Sequence, residues 1–495
     1  MKKTLSNILF AALVVLAAAS CQKELNLDSQ DEGLRTITCF METPSDTKGI
    51  LDGTTPKWEA GDQIWISNGS DAPVTITLAE SDITSNKATI STSLTGTLYA
   101  VYPASAQNGV TNDGKIGIKV PTSTTGTFAE AHIAVAQGEG SLSFKNAVTI
   151  LKITTADETK SVNIASTANV SGEFNVTYGE NLTMVAGTNP AKRVMLTSSG
   201  AGEKYVAIAP DIAFNTVTFT AIKSATNWAA KTSTNTNTTA INTIYNIGDV
   251  SGADWSYTGA NNGSLWGEFS VSGSKKVRFS KGNLRAKKDD GDNWTWGFYD
   301  KQYECNSLNT GCDSDGKRTA QATDTEIDLF TWGYGTNSTN PTTTFYESTF
   351  TDWGTVMGGS VWSTLSKDEW KYLLSGGADG RGSGVRYFKF PVSVAGKANC
   401  LVIAPDGNTT AIEESYDASA WETAEASGLI CLPPAGYRYG SSVSLVGSNG
   451  YYWSATHHYG NEAYSPYFAN SRVYLSNISN RASCLSVRLV CSVSN

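Results

Sequence analysis

Alternating apolar and polar residues mark most of the first half of the chain as β-strand. The alternation is clear in Thr36–Phe40, Gln63–Ile66 and Leu98–Tyr102, and Pro103 ends the third of these segments. Gly, Asn and Asp residues separate the segments, as in the turn at 60–62. Alternation of period two, bounded by turn residues, predicts half-buried strands. The same pattern predicts further strands at 142–146, 148–153, 172–176, 205–209, 216–222 and 243–248.

The pattern changes after Leu265, where tryptophan becomes frequent and the apolar segments become short. One helix is predicted over Thr364–Leu374, because Ser366 is followed three residues later by Glu369, the spacing of a capping box. The remaining segments predict short strands joined by long loops. This organisation is typical of a domain whose function resides in its loops.

The N-terminus predicts export. Two lysines precede an apolar run at 8–19, which is too short to span a membrane and is typical of a signal peptide over 1–20. The small residues before Cys21 resemble a bacterial lipobox, and this resemblance implies that Cys21 is lipidated. The acidic tether at 21–35 resembles the export signals of surface lipoproteins of Bacteroidetes. The expected location is therefore the cell outer membrane, on its outer surface.

Composition narrows the class of protein. About 475 residues follow the signal peptide, which is enough for roughly three domains. Only 17% of the residues are charged, and Gly, Ser and Thr are abundant, which together with the strand pattern predicts a mainly β, multidomain protein. The formal net charge of −9 argues against a nucleic-acid partner.

The cysteines predict little chemistry. Eight are present, and lipidation of Cys21 would leave seven. We predict a disulfide between Cys305 and Cys312, which flank a flexible loop. No Cys/His spacing typical of a zinc site occurs, and neither a nucleophile elbow nor a phosphate-binding loop is present. We therefore expect no metal, no cofactor and no enzymatic activity.

Four motifs of the first half resemble the fimbrillin family of Bacteroidetes. They are KWEAGDQI at 57–64, YAVYP at 99–103, LSFKNAVTILKI at 142–153 and IYNIG at 244–248. The resemblance implies two transthyretin-like β-sandwiches, at 36–154 and 155–250, with Trp58 in a core. It also implies a role as a surface adhesin or pilus subunit that contacts other subunits by strand exchange.

Assembly of such subunits involves cleavage after an arginine. Arg35, just before the first strand, is the candidate, and an ordinary linker arginine is the open alternative. In this chain an extra domain stands where a donor strand would be. That arrangement favours a position at the tip of a pilus.

A linker at 251–264 precedes a second resemblance, which covers 265–495. The motifs VRFSKGNL at 277–284, LPPAGYR at 432–438, YWSAT at 452–456 and SVRLV at 486–490 resemble C-type-lectin-like domains of the major paralogous type. The resemblance implies an α+β fold with a buried core that includes Trp453, Val487 and Leu489. It also implies that Arg488 anchors a loop. Formylglycine-generating enzymes share this fold, but the residues around Cys484 and Cys491 do not match their cysteine motif.

The stretch 436–490 has the composition of a binding surface. It holds eight of the 21 tyrosines and two of the three histidines, and four of its five charged residues are arginines. Tyrosine provides contact area at low entropic cost, Ser and Asn provide adaptable hydrogen bonds, and arginine anchors interfaces. The plain alternative is the Tyr- and Ser-rich surface of a β domain.

The stretch also resembles the variable repeat of proteins diversified by retroelements. Framework positions alternate with Tyr, Ser, Asn, His, Ala and Cys, the residue types that substituted AAY codons encode. The framework positions are Gly436, Gly450, Tyr452–Ser454, Ala463, Phe468, Val473, Arg481 and Ser486–Val490. The family has Gly at the position of Cys484, which implies an accidental, exposed thiol. The resemblance implies the following ligand contacts: Tyr437, Tyr439, Tyr451, His457, His458, Tyr459, Asn461, Tyr464, Tyr467, Asn470, Arg472, Tyr474, Ser476 and Asn477.

These expectations combine into one predicted function. The chain would be a cell-surface adhesin, at a pilus tip, that binds a host or bacterial protein or glycan through its C-terminal face. The alternative is a glycan-capturing surface lipoprotein of a polysaccharide uptake system, which exposed coplanar aromatic platforms would favour. A third hypothesis, an enzyme of the sulfatase-modifying type, lacks the required motif.

Overall fold

The computed structural model shows a mainly β, multidomain protein, as predicted. It describes residues 33–42, 45–46, 56–197, 200–251, 263–290, 293–306, 318–319, 325–333, 350–357, 361–375, 388–408, 411–440 and 442–493. The signal peptide and Cys21 lie outside these residues, together with the tether before residue 33 and most of the 251–264 linker. No helix among the described residues is long and apolar enough to cross a membrane.

The strands of the first half include all nine that the alternation pattern predicts. Each of those strands has apolar residues directed into a core on at least one face. In chain order the strands are β1 (Arg35–Met41), β2 (Ser45–Asp46), β3 (Gln63–Ser67), β4 (Val74–Thr77), β5 (Ile83–Thr84), β6 (Lys87–Thr92), β7 (Leu98–Tyr102), β8 (Gln107–Val110), β9 (Ile116–Val120), β10 (Ser123–Thr124), β11 (Ala134–Gly138), β12 (Ser141–Asn146), β13 (Thr149–Thr155), β14 (Ser161–Ser166), β15 (Ser171–Thr177), β16 (Thr183–Ala191), β17 (Arg193–Leu196), β18 (Gly202–Ile208), β19 (Val217–Ser224), β20 (Asn227–Thr232) and β21 (Thr243–Asp249).

The eight-stranded sheet packs one face on a core of its own, and Trp65, Val101 and Val135 on its other face belong to a second core. Its order is β4-β3-β7-β11-β12-β1-β6-β5. Ile64, Ile90 and Phe144 come from well-separated strands of this sheet and pack in one cluster with Trp58. The ring of Trp58 meets that of Phe144 edge to face, with 5.3 Å between centroids. The predicted core position of Trp58 is confirmed.

Three smaller sheets complete the first half. Their orders are β18-β13-β21-β2, β10-β17-β14-β19-β20 and β16-β15-β9-β8. Strand pairing crosses the predicted boundary at 154/155, because Ile118 of β9 lies opposite Phe174 of β15. The two predicted sandwiches therefore share a sheet, and their cores are continuous through residues such as Ile150 and Ala207.

The described residues of the C-terminal region form short strands and include helices α2 and α3, whose bounds follow. Helix α1 (Phe128–Ala131) belongs to the first half, and α2 (Lys367–Ser375) and α3 (Ala418–Ala426) belong to this region. Its strands are β22 (Phe269–Ser270), β23 (Lys276–Phe279), β24 (Leu284–Lys288), β25 (Trp294–Phe298), β26 (Arg318–Thr319), β27 (Glu326–Ile327), β28 (Trp362–Thr364), β29 (Phe388–Val394), β30 (Lys397–Ile403), β31 (Ser415–Tyr416), β32 (Ile430–Leu432), β33 (Tyr437–Tyr439), β34 (Ser442–Ser444), β35 (Gly450–Tyr451), β36 (Glu462–Tyr464), β37 (Tyr467–Ala469), β38 (Arg472–Tyr474), β39 (Ile478–Asn480) and β40 (Leu489–Ser492).

The beginning and the end of this region lie side by side. Strand β23 pairs with β40, so that Phe279 lies opposite Val490. Trp453, Val487 and Leu489 are buried, as predicted, in a cluster rich in tryptophan. Arg488 is also buried and donates a hydrogen bond of 2.8 Å to Oε1 of Gln302, which confirms its structural role.

The predicted capping box forms at the start of α2. The backbone N–H of Ser366 donates to Glu369 Oε2 at 2.7 Å, and the N–H of Glu369 donates to Ser366 Oγ at 3.2 Å. Helix α3 was not among the predicted elements. Asp417 caps it by accepting a hydrogen bond from the N–H of Ala420, and Trp421 is its main buried residue.

A hydrophobic interface joins the second sandwich to the C-terminal region. Met195 and Trp228 of the sandwich pack in one cluster with Trp266 and Ala426. The guanidinium carbon of Arg278 lies 4.7 Å from the ring centroid of Trp228, a cation–π contact. The 265–495 region is therefore packed against the sandwich at this surface.

Candidate binding surface

Four of the predicted contact tyrosines form one continuous row of rings. Tyr451 and Tyr467 are stacked with 4.9 Å between centroids and an interplanar angle of 8°, and Tyr467 and Tyr474 are stacked at 4.4 Å and 6°. Tyr437 meets Tyr451 edge to face at 5.4 Å. All four side chains are half-buried. We call these four residues the tyrosine ladder.

The ladder follows from strand register. Tyr451 lies opposite Tyr467, and Tyr467 lies opposite Tyr474, in the sheet β35-β37-β38. Two residues, Asn470 and Ser471, connect β37 to β38, and both have positive φ, at 48° and 59°. A two-residue turn with both residues left-handed matches the twist of a hairpin and fixes its register. The turn therefore places the last two rings face to face.

Two glycines bring the fourth ring into the row. Gly436 forms a parallel bridge with Gly450, which sets Tyr437 beside Tyr451. A Cβ atom on Gly450 would lie 2.1 Å from Cζ of Phe468, and one on Gly436 would lie 2.2 Å from the Ser444 carbonyl oxygen. Side chains at either position would force these strands apart and open the ladder.

Framework residues beneath the surface are packed and hydrogen-bonded. Trp453 Nε1 donates to the Phe330 carbonyl at 2.7 Å, and the Tyr452 hydroxyl donates to the Pro433 carbonyl at 2.9 Å. The positions expected to be framework are buried, except for half-buried Val473: Gly436, Gly450, Tyr452, Trp453, Ser454, Ala463, Phe468, Arg481, Ser486, Val487, Arg488, Leu489 and Val490.

A second group of predicted contacts lies within residues 457–464, in a loop and the strand that follows it. His458 Nδ1 lies 3.2 Å from Glu462 Oε2, and its ring meets that of Tyr464 edge to face at 5.0 Å. His457 Nε2 lies 3.1 Å from the Gly460 carbonyl oxygen. Tyr459, at the loop tip, is 81% exposed. We call this group the histidine loop.

None of the fourteen predicted contact residues belongs to the buried core. The half-buried ones are Tyr437, Tyr451, Tyr464, Tyr467, Tyr474 and Asn477. The exposed ones are Tyr439, His457, His458, Tyr459, Asn461, Asn470, Arg472 and Ser476. Ring contacts connect the ladder tyrosines to one another, and a separate set of contacts connects His458, Glu462 and Tyr464.

Burial controls the protonation of the ladder. Burial raises the pKa of Tyr451 above its ordinary value, although a hydrogen bond from Asn449 opposes the effect. Burial also raises the pKa of Tyr467, and the neighbouring phenols of Tyr474 and Tyr451 raise it further. Both hydroxyls are therefore neutral at physiological pH and can both donate and accept hydrogen bonds.

Three residues of this surface were not predicted. The ammonium of Lys367 lies 4.0 Å from the ring centroid of Tyr464. Ile478 lies opposite Tyr464 and is 38% exposed. Asn449 Nδ2 donates to the Tyr451 hydroxyl at 3.2 Å. Asn449 could have been predicted, because it is a polar residue directly before Gly450. Lys367 could not, because it is distant in sequence and only the tertiary fold places it at this surface.

One expectation about this stretch was wrong, and it concerns Cys484. Of the four arginines, Arg472, the predicted ligand contact, is exposed, and Arg438, Arg481 and Arg488 are buried. Arg481 donates to the Gly460 carbonyl at 2.8 Å and so supports the histidine loop from below. Cys484 was expected to be an exposed thiol but is fully buried. The backbone N–H and carbonyl of Cys484 both form hydrogen bonds with the backbone of Arg438. This pairing directs the Cys484 side chain into the core.

The remaining predicted sites are outside this surface. Arg35 is the first residue of β1 and donates to the carbonyls of Glu139 at 2.9 Å and Gly96 at 2.7 Å. Cys305 is buried, and Cys312 lies outside the described residues, so their disulfide stays a prediction. Among the residues that the structure describes, no group of three His, Cys, Asp or Glu side chains is placed to hold a metal ion.

Comparisons with known proteins give limited likenesses. A family model described as a domain of unknown function (DUF8237) matches residues 370–490, which include both the ladder and the histidine loop. No curated protein matches the chain.

Among solved structures, a “putative cell adhesion protein” from Bacteroides uniformis is 18% identical, with a TM-score of 0.29, over 45% of this chain and 95% of that chain. A second protein of the same description, from Bacteroides ovatus, is 17% identical, with a TM-score of 0.28, over 46% of this chain and 96% of that chain. A fimbrial assembly protein from Parabacteroides distasonis is 8% identical, with a TM-score of 0.22, over 54% of this chain and all of that chain, 100%. Likenesses of this size carry no argument about what the chain binds.

Proposed function

We propose that this chain is a cell-surface adhesin that binds a protein or glycan ligand through its C-terminal face. The fourteen residues predicted from the sequence would form the contact surface, with the tyrosine ladder at one side and the histidine loop at the other. The protein would be exported as a lipoprotein, anchored to the outer membrane through Cys21. The sandwiches would contact other pilus subunits by strand exchange, with this chain at the tip.

The observation that carries the proposal is the ladder itself. Four half-buried tyrosines are held in one row by strand register and by mutual stacking, above a hydrogen-bonded framework. Side chains that are already ordered lose little conformational entropy on binding, which is the advantage of a preorganised contact surface. No catalytic constellation accompanies the row among the described residues, and the surface is suited to adhesion.

Active diversification by a retroelement is part of the proposal. The division between buried framework and accessible variable positions supports it, because substitutions at accessible positions change binding at little cost to stability. The flanking DNA should contain a near-copy of the 436–490 repeat with adenines at the variable codons. A flanking region without such a copy would remove this part of the proposal.

Binding is best tested with the full exported chain and a double variant. Fluorescently labelled protein is added to a panel of intact cells: human epithelial cells, a Gram-negative bacterium and a Gram-positive bacterium. We expect binding to at least one cell type, and at least a tenfold loss in Tyr467→Ala/Tyr474→Ala. Val185→Ala, which removes an exposed side chain of β16 in the second sandwich, serves as the control and should bind like the wild type. Equal binding by the double variant would refute the proposal.

Anchoring and assembly have their own tests. Metabolic labelling with palmitate should mark the wild type and not Cys21→Ala. Sequencing of the N-terminus of chains taken from assembled pili should begin after Arg35. Pili that contain this chain with Arg35 still joined to the tether would exclude cleavage at that position.

A further inference from the structure

Ring faces are covered at the centre of the ladder. Both faces of Tyr467 are covered, by Tyr451 on one side and Tyr474 on the other. Carbon atoms in contact are about 3.5–4.0 Å apart, so centroid separations of 4.4 and 4.9 Å leave no room for a third ring. Tyr437 closes the row against Tyr451. Tyr437 meets Tyr451 at 75°, so one ring of this pair presents its edge to the other. Tyr437 and Tyr474, at the two ends of the row, each keep a face that no other ladder ring covers.

This geometry matters because a sugar ring uses an aromatic face. The face of an aromatic ring is electron-rich, and its edge carries partial positive charge. The C–H groups of a sugar pack on the electron-rich face, and both such faces of Tyr467 are covered. Oxygen atoms of carbonyl and carboxylate groups are attracted to the positive edges and can accept hydrogen bonds from the phenols. The exposed chemistry of the ladder therefore suits a partner rich in such oxygens.

The charge beside the ladder also favours a partner that carries carbonyl or carboxylate oxygens. Arg472 lies two residues before Tyr474 on β38, so both side chains project from the same face of the sheet. Arg472 is exposed, and among the described residues no carboxylate pairs with it. Glu462, the acidic residue of the 436–490 stretch, already pairs with His458. The ladder is thus bordered by an available positive charge.

We infer that the ladder binds a protein surface that places a carboxylate against Arg472, and not the ring face of a glycan. The inference rests on the proposed function and makes its ligand class specific. Protein backbones supply carbonyl oxygens at regular intervals, and Asp and Glu side chains supply the carboxylate. The phenol hydroxyl groups then contribute directly to affinity, in addition to the rings that position them.

The test uses the cell type that the wild-type chain binds. Cells are treated with proteinase K, which removes surface proteins, or with periodate, which opens sugar rings with adjacent hydroxyls. We expect proteinase K to lower binding at least tenfold and periodate to leave it within about twofold of untreated cells. Loss of binding after periodate treatment would overturn the inference and leave the adhesin proposal intact. The adhesin proposal fails separately, if Tyr467→Ala/Tyr474→Ala binds like the wild type.

Two conservative substitutions test the geometry directly. Tyr467→Phe and Tyr474→Phe keep the stacked rings and remove the hydroxyls, so folding is preserved. Each should weaken binding about tenfold, the effect of one lost hydrogen bond of about 1.4 kcal/mol. A sugar stacked on a ring face would tolerate both changes, and unchanged binding would therefore contradict the inference.

The charge is tested at Arg472. Arg472→Glu should weaken binding more than Arg472→Gln, because it adds repulsion to the loss of attraction. Binding of the wild type should also fall as salt rises from 50 to 500 mM, while that of Arg472→Gln should fall less. Equal binding by both variants and the wild type would exclude a carboxylate partner at this position.

Discussion

Arg193 of the second sandwich donates a hydrogen bond from Nε to the carbonyl oxygen of Gly407 in the C-terminal region, at 2.8 Å. A Cβ atom on Gly407 would lie 3.2 Å from Cδ of Arg193, so the arginine stem packs directly against this glycine. Burial lowers the pKa of Arg193 to about 10, and the carboxylates of Asp406 and Glu268 oppose that effect. Together with the contacts of Trp228 and Arg278, this hydrogen bond fixes how the C-terminal region is oriented on the second sandwich.

Removal of Trp228 should uncouple the two regions. Trp228→Ala deletes a buried ring and its cation–π contact with Arg278, at a cost of about 3–5 kcal/mol. We expect one calorimetric transition in the wild type and two separate transitions in the variant, with the C-terminal region also more variable in orientation by small-angle X-ray scattering. Trp294→Ala, which truncates a half-buried ring within the C-terminal region, is the control and should retain one transition. A single transition in Trp228→Ala would show that the two regions stay coupled without Trp228.

The stability of the first half should depend on pH through His132. Its imidazole is buried and stacks on Phe128 with 5.6 Å between centroids. Burial lowers the pKa of His132 to about 4, below the value of about 6.5 for an unfolded chain. The unfolded state therefore takes up a proton first as pH falls, and stability is lost between about pH 6.5 and pH 4.

Urea unfolding measures this loss. Between pH 7 and pH 5 we expect the free energy of unfolding to fall by about 2 kcal/mol because of His132 alone. In His132→Phe, whose ring can occupy the same stack, this part of the pH dependence should disappear. If the variant loses as much stability as the wild type over this range, other groups cause the effect.

The sequence was sufficient for the strands because alternation is a local property. Thr36–Phe40 packs one face into a core, and Leu98–Tyr102 packs both of its faces into cores. Helix α3 was missed although Asp417 provides a cap and the helix formers that follow it are visible in the sequence. Its apolar stripe is short, since Trp421 and Ala426 are its buried residues, and the periodicity is correspondingly weak.

The ladder could not be predicted because it depends on register between strands. That Tyr467 stacks on both Tyr451 and Tyr474 follows from the turn at 470–471 and from the bridge between Gly436 and Gly450. Composition identified the stretch as a surface, but only pairing shows that ring faces are covered. The same limitation explains the error at Cys484, whose inward direction is set by its pairing with Arg438.

The capping box at α2 should contribute to stability in proportion to its two hydrogen bonds. Burial raises the pKa of Glu369, but hydrogen bonds from Lys275 and from the Ser366 N–H outweigh it and hold the pKa below its ordinary value. Ser366→Ala should cost about 1 kcal/mol in the free energy of unfolding. Lys371→Ala, at an exposed position of the same helix, should change it by less than about 0.5 kcal/mol. Equal effects of the two substitutions would mean that the box contributes nothing.

Cys484 should behave as a small core residue and not as a reactive thiol. It packs with Leu329, Ala435 and Val443, and burial raises its pKa to about 11, an effect that Arg438 partly opposes. Because the thiolate is the reactive form, the native wild type and Cys484→Ser should show the same number of fast-reacting thiols with a disulfide reagent. In urea, the wild type should show one fast-reacting thiol more than Cys484→Ser.

Cys484→Ala should lower the free energy of unfolding by about 1 kcal/mol, since it removes a buried atom. An exposed, accidental cysteine could be replaced without such a loss. A native thiol at this position that reacts rapidly would contradict the packing beneath the ladder, because reagent could reach it only if the hairpin that carries Arg438 opened.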